Sequence, residues 1–237
     1  MTLSLHTSHD HTTTTSQAAV VFIDLSGHTA LTEAHGDQRA AELAEAFADL
    51  ARATLGDGDR LIKTLGDAIL VTSPAARTAI ALLGRITTDA QRTGRFPVLR
   101  AGITYGPIVT LSDDIYGGTV NIAARLAAAA GPAQVLATEP VAEAADDAGL
   151  AVTGLGLTRL RNLSQPVDVF AIDLGVDCPC PDVDPVCRMR LHDRTTTTTL
   201  TQHGTTYRFC SHTCAHRFAA TPRQFTNAVA CQQGATT

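Results

Sequence analysis

Lysine is all but missing from this chain: Lys63 stands alone beside seventeen arginines. Tryptophan is absent and aromatic residues make up only 4% of the 237 positions, too few for a protein that stacks single-stranded bases on rings. A net charge of −5 offers no basic field to a nucleic-acid backbone, and no arginine cluster replaces one. Long apolar runs are lacking too; the stretch at 79–83 falls far short of the roughly 20 residues that cross a bilayer. Residues 1–17 are rich in Thr and His with no apolar core, so they read as a disordered tail and neither a signal peptide nor a membrane segment. A soluble, cytoplasmic protein with no nucleic-acid or membrane partner is expected.

Cysteine is the most informative absence. The first 177 residues contain none, and all six (Cys178, Cys180, Cys187, Cys210, Cys214 and Cys231) follow. In a reducing compartment such clustering favours a metal over disulfides, and it marks a boundary. The expected organisation is a large domain at 18–174, a linker at 175–182 and a small cysteine-bearing module at 183–230. That module is too small to bury much core without a metal.

With 44% apolar residues the large domain can bury a substantial core. Residues 18–24 form an apolar run ending in Asp24, which predicts a buried strand. Helical spacing runs over 29–55 with a break at Gly36, and 60–72 is a hairpin hinged at Leu65, Gly66 and Asp67. A second helix is expected over 74–93, two strands over 97–110 broken at Gly106, and a helix over 119–130 stopped by Gly131 and Pro132. Short strands and a helix fill 134–173. The order β-α-α-β-β-α-β-β-α predicts a ferredoxin-like α+β domain with helices on a sheet.

Asp24 and Asp67 each close an apolar strand. If the hairpin pairs beside the first strand, two hard oxygen ligands meet at one sheet edge, a set suited to Mg²⁺ or Mn²⁺ and to phosphate oxygens. The plainer alternative is that each Asp caps the following turn. Asn121 and Arg125 lie four apart and so share a helix face, where an amide and a guanidinium can stabilise charge that develops in phosphoryl transfer.

Four segments in this order and spacing resemble the class III nucleotide cyclases. They are Phe22-x-Asp24-x-x-Gly27-x-Thr29, Lys63-Thr-Leu-Gly-Asp67, Arg100-Ala-Gly-Ile-x-x-Gly106 and the run from Asp114 to Arg125. The closing stretch from Leu157 to Phe170 is similar as well. The resemblance implies an adenylate cyclase that converts ATP to cyclic AMP and pyrophosphate with two Mg²⁺ or Mn²⁺ ions held by Asp24 and Asp67. It implies that Lys63 and Asp114 read adenine, that Asn121 orients the ribose and that Arg125 stabilises the transferring phosphate. Phe22 and the backbone through Gly27 would line the triphosphate. It also implies a homodimer, the metal residues of one subunit meeting the other four residues of its partner. His28 stands where the family usually carries Phe, and the stretch from Gly106 to Gly117 is short for the family's dimer arm. A catalytically silent cyclase-like protein that binds nucleotide or senses a metal is the alternative.

Cys187, Cys210 and Cys214 follow the spacing C-x22-C-x3-C within 183–226, which resembles the YHS domain, grouped with the TRASH-type modules. Three thiolates suit Zn²⁺ or Cu⁺. His212, His216, Cys180 and Cys231 are each open as a fourth ligand, and Arg188 occupies a place where the family usually has Gly.

Overall fold

A computed structural model describes residues 13–176, 183–191 and 198–226. Strand β1 (Thr13–Leu25) leads into helices α1 (His28–His35) and α2 (Asp37–Thr54), followed by β2 (Arg60–Leu65), β3 (Ala68–Ser73), α3 (Ala76–Thr93), β4 (Leu99–Leu111), β5 (Asp114–Tyr116) and α4 (Gly118–Ala129). Strand β6 (Val135–Ala137), α5 (Glu139–Asp146), β7 (Val152–Thr158) and β8 (Val167–Ile172) complete the large domain. The sheet order is β2-β3-β1-β4-β6-β8-β7, with β5 beside β4. Only the β4–β6 neighbours run parallel.

β1 sits at the centre because its apolar run is buried on both faces, and alternation divides it between two cores. Ala19, Val21, Ile23 and Leu25 pack beneath helices α1, α2, α3 and α5, against Leu31, Phe47, Leu83, Ile86 and Val141. Ala18 and Val20 face the opposite way, with Phe22 packed beside them, toward Leu70, Ile108, Val120 and Ala123 under α4. Asp24 continues this second series, and Lys63 joins it because Lys63 pairs across from Leu70.

Two boundaries differ from the sequence reading. The ordered sheet begins at Thr13, inside the tail expected through residue 17, because Thr13–Gln17 continue the ladder opposite β4; residues 1–12 lie outside the described set. β4 is one strand with no break at Gly106, since β1 pairs with it from Leu25↔Leu99 to Thr13↔Leu111 without a shift. Gly106 faces Thr119, whose Oγ1 would lie 2.8 Å from a Cβ there.

The cysteine-bearing part carries a hairpin, β9 (Thr198–Gln202) and β10 (Thr205–Phe209), then α6 (His212–Ala220) and α7 (Pro222–Thr226). Tyr207, Phe209 and Phe225 surround Phe218, with ring centroids 4.5, 5.3 and 6.3 Å from it. The described residues of this part pack against the large domain. Val186, Cys187, Phe209, Cys214 and Phe218 belong to the same buried cluster as the helical face of the large domain. Met189 bridges to Pro97, and the Val98 amide donates to the Arg188 carbonyl at 3.0 Å. Of the expected linker, only Gly175 and Val176 fall among the described residues.

Gly102 decides how α4 lies on the sheet. A Cβ on it would stand 2.2 Å from the Ala127 nitrogen and 2.3 Å from the Ala123 oxygen, so α4 backbone rests directly on β4. Gly102→Ala is expected to lower the unfolding free energy by about 1–3 kcal/mol in urea titrations, through overpacking. An unchanged midpoint would show that α4 can retreat without cost.

Candidate active site and cysteine–histidine cluster

The end of β1 and the β2–β3 turn bring the two expected aspartates together. Asp24 pairs with Ala68, the neighbour of Asp67, and the Leu25 amide donates to the Asp67 carbonyl at 3.3 Å. Opposite Asp24 on β4 stands Arg100, whose Nε donates to the Asp24 carboxylate at 2.6 Å while Nη2 forms an ion pair with the same oxygen. Burial pushes the Asp24 carboxyl up to about 6; the Arg100 guanidinium pulls it back and the Asp67 carboxylate pushes it further up. A buried carboxylate with a second carboxylate beside it is a donor set that a hard divalent cation relieves. His28 reaches Asp67 at 3.7 Å through Nδ1, so the departure from Phe puts an imidazole beside the second aspartate.

The backbone between Asp24 and α1 is partly committed. The Leu25 amide goes to Asp67 and the Ser26 amide donates to the Val98 carbonyl at 2.9 Å. The amides left for a phosphate therefore begin at Gly27, the N-cap of α1, which sits at φ 81°. That narrows the cradle expected from the sequence to Gly27 and the first turn of the helix.

Lys63 and Asp114 meet across the sheet although 51 residues separate them, the Lys63 Nζ donating to Asp114 Oδ2 at 2.6 Å. The Lys63 hydrogen bond holds the Asp114 carboxyl below the usual carboxylate range. Phe22 packs beside this face in the core under α4. Asn121 is exposed and Arg125 half-buried on α4, and among the described residues no side-chain hydrogen bond or ion pair engages either. One protomer thus brings together Asp24 with Asp67 and Lys63 with Asp114, and leaves Asn121 and Arg125 unpartnered.

Cys187, Cys210 and Cys214 converge as expected, and all three are free thiols. Among the described residues the fourth group is neither His212 nor His216. It is His35, the last residue of α1 in the large domain, and the four ligand atoms all lie within 4.8 Å of one another. His35 Nε2 is 3.4 Å from Cys210 Sγ and 3.7 Å from Cys214 Sγ; Cys210 is 3.4 Å from Cys187 and 3.7 Å from Cys214. A tetrahedral zinc site with ordinary bond lengths has sulfur–sulfur edges of about 3.8 Å and sulfur–nitrogen edges of about 3.6 Å. His212 instead approaches Thr198 at 3.5 Å, His216 is exposed, and Cys180 and Cys231 lie outside the described residues. Hydrogen bonding to Cys210 and Cys214 holds the Cys187 thiol protonated, far above its ordinary range, and hydrogen bonding from Cys187 and Cys210 draws Cys214 down. A cation would displace the shared protons.

Asp184 organises this cluster, a role that sequence reasoning passed over. It is fully buried and accepts from the amides of Val186 at 2.7 Å, Cys187 at 3.3 Å and Cys210 at 2.8 Å. Burial, followed by the charge of Cys214, pushes its carboxyl up. An Asp three residues before a Cys and followed by Pro was the available signal, since such an Asp closes a turn onto its own backbone. Arg188 holds φ 60°, the left-handed conformation for which a glycine is the easy choice.

The fold, a central sheet with carboxylates at one edge and a helix laid on β4, is that of nucleotide cyclase catalytic domains. The family described as the adenylate and guanylate cyclase catalytic domain matches residues 11–172, and the YHS domain matches 183–229. This chain belongs to the adenylate and guanylate cyclase family. It is 32% identical over 163 residues to a pH-sensitive adenylate cyclase of Mycobacterium tuberculosis, covering 67% of this chain and 41% of that protein. It is 39% identical over 129 residues to an adenylate cyclase of Streptomyces coelicolor, covering 53% and 33%. The chain therefore spans less than half the length of these curated relatives. Among solved structures, the adenylyl cyclase CyaB of P. aeruginosa superposes with a TM-score of 0.58 at 20% identity, covering 68% of this chain and 96% of that one. An adenylate/guanylate cyclase/hydrolase of Silicibacter pomeroyi gives 0.54 at 26% identity, covering 67% and 97%.

Asp184→Ala strands three buried amides and is expected to cost about 3 kcal/mol, or roughly 6–12 °C in Tm. Asp184→Asn, which keeps one carbonyl acceptor, should lose less. Calorimetry reads both, and equal melting of Asp184→Ala and the parent would remove Asp184 from this role.

Proposed function

We propose that the chain is an adenylate cyclase, forming cyclic AMP and pyrophosphate from ATP in a homodimer. The observation that carries this is the pairing of Lys63 with Asp114 on the sheet face that also bears Asp24. An ammonium donor and a carboxylate acceptor, 2.6 Å apart, match the ring-nitrogen acceptor and the amino donor of adenine. Guanine presents the reverse pattern.

The Asp24 and Asp67 carboxylates are the residues that would hold Mg²⁺ or Mn²⁺; such ions supply charge for the triphosphate and acidity for the ribose 3′ hydroxyl. In the reaction the 3′ oxygen bonds the α-phosphorus, the bond to the β-phosphate oxygen breaks, pyrophosphate leaves with that electron pair, and the hydroxyl proton passes to solvent. Lys63 and Asp114 fix the base, and the first-turn amides of α1 hold phosphate oxygens. Asn121 orients the ribose and Arg125 meets the charge that grows on the phosphate.

The homodimer rests on two features. Among the described residues the side chains of Asn121 and Arg125 have no hydrogen-bond or ion-pair partner, and large apolar side chains stay exposed on the hairpin turn (Leu65, 46%), on β5 (Tyr116, 50%) and on β7 (Leu155, 48%, and Leu157, 77%). A second copy that covers these side chains would bring its Lys63, Asp114, Asn121 and Arg125 to the first copy's aspartates. Among the described residues no helix is long and apolar enough to cross a membrane. The free thiols suit a reducing compartment such as the cytoplasm.

Purified protein with Mn²⁺ should convert ATP in preference to GTP. Asp24→Ala and Arg125→Ala should each lose on the order of 100-fold or more in turnover. Mixed in equal amounts after subunit exchange, they should regain about a quarter of parental activity, because half the dimers hold one intact site of two. No cyclic AMP from an intact dimer would overturn the assignment, and a mixture as inactive as its parents would overturn the shared site.

A further inference from the structure

We propose that Cys187, Cys210, Cys214 and His35 together bind one thiophilic cation, Zn²⁺ or Cu⁺, which clamps the cysteine-bearing module to the phosphate-binding end of the cyclase domain and thereby sets its activity. The regulatory half rests on the cyclase reading above; the binding half does not.

The donor atoms argue for the cation. Three sulfurs and one imidazole nitrogen, at separations of 3.4–3.7 Å where measured pairwise, fit a closed four-coordinate site. Cys187 and Cys214 are buried, whereas Cys210 and His35 are half-buried and line a cavity of ≈ 200 Å³ together with Leu31, Arg39, Leu43 and Met189. A cation can therefore enter and leave on the side of Cys210 without the fold opening. Among the described residues neither part holds four ligands of this cluster alone, so loading and docking are one event.

The coupling follows from what His35 ends. Helix α1 has eight residues, about 12 Å of rigid rod, and its other end is Gly27. The module grips that end as well. Arg188, the residue after the ligand Cys187, lies over Gly27 so closely that a Cβ on Gly27 would meet its Cγ at 2.7 Å. Arg217 of α6 pairs with Glu33 of α1. The Arg188 carbonyl accepts from Val98, whose own carbonyl holds the Ser26 amide beside Asp24. Both ends of α1 are thus tied to residues on or beside the cation ligands, and an empty site releases one of them. Loading favours the ordered loop by the cation's preference for the docked state, and by no more than that.

The test uses the full chain, freed of metal, beside His35→Gln, which keeps the bulk of the side chain and loses the ligand. Equal melting of the two metal-free proteins establishes that the variant folds. Cobalt(II) titration should show one site per chain with a three-thiolate, one-nitrogen spectrum in the parent. In His35→Gln that spectrum should change, and competition with Zn²⁺ should show affinity lower by about 100-fold. Hydrogen exchange across residues 24–35 should slow when Zn²⁺ binds the parent and stay unchanged in the variant. Zn²⁺ should raise parental turnover at least about fivefold, the lower end of ordinary coupling between sites, and leave the variant's turnover unmoved. Identical cobalt spectra and affinities would overturn the shared site. Unchanged exchange and turnover on loading would overturn the clamp. The spectra and the exchange need no catalysis, so an inactive chain would count against the cyclase reading alone.

Discussion

The unbroken antiparallel pairing of β1 with β3 and β4 is the constraint on which the candidate site depends. A strand with period two sends every second side chain to the same face, so a shift of one residue would exchange the helical core for the α4 core along its whole length. In the observed register Ile23 and Leu25 are buried under the helices and Asp24 faces the other way, opposite Arg100 and one residue from the Asp67 turn. The chain then leaves β1 through Gly27 directly into α1. The carboxylates, the first-turn amides and the helix that ends at His35 are therefore positioned by one strand.

Charge on the working face is held in balance within the protomer. Arg100 compensates Asp24, and Lys63 compensates Asp114. These pairs are half-exposed, and such pairs are worth little as stability, about 0–1 kcal/mol for a typical surface pair. They keep like charges from accumulating on this face. Arg125 is different, since nothing among the described residues compensates it. An unpaired guanidinium beside an amide on the helix that Gly102 presses onto the sheet is one of the features on which the proposed homodimer rests.

Much of this was legible in the sequence, and the misses have physical causes. Asp24 and Asp67 could be placed because each ends an apolar strand, and Gly66 marks the β2–β3 turn that carries Asp67. The helix of Asn121 and Arg125 could be placed from its spacing and its stop at Gly131. Glycine weakens strands, so Gly106 in the sequence predicts a break, whereas in the structure it admits Thr119 of α4 against a continuous β4. The tail was read as starting the domain at 18 because its threonines are polar, yet β-branched residues extend a ladder well when a long partner strand is available. His35 was not legible at all. A histidine at the end of α1, 175 residues before Cys210, carries no spacing signal, and only the packing of the two parts into one core brings it to the thiols.

The cyclase domain and the cysteine module share a buried core and a cluster of four potential ligands, and the proposed cation position lies between the two parts. X-ray absorption at the zinc edge, on the zinc-loaded full chain and on His35→Gln, tests this most directly. The account predicts about three sulfur neighbours near 2.3 Å and one imidazole nitrogen near 2.0 Å in the parent, with the imidazole signal lost in the variant. A coordination shell that keeps its imidazole in His35→Gln, or that holds four sulfurs in the parent, would contradict it.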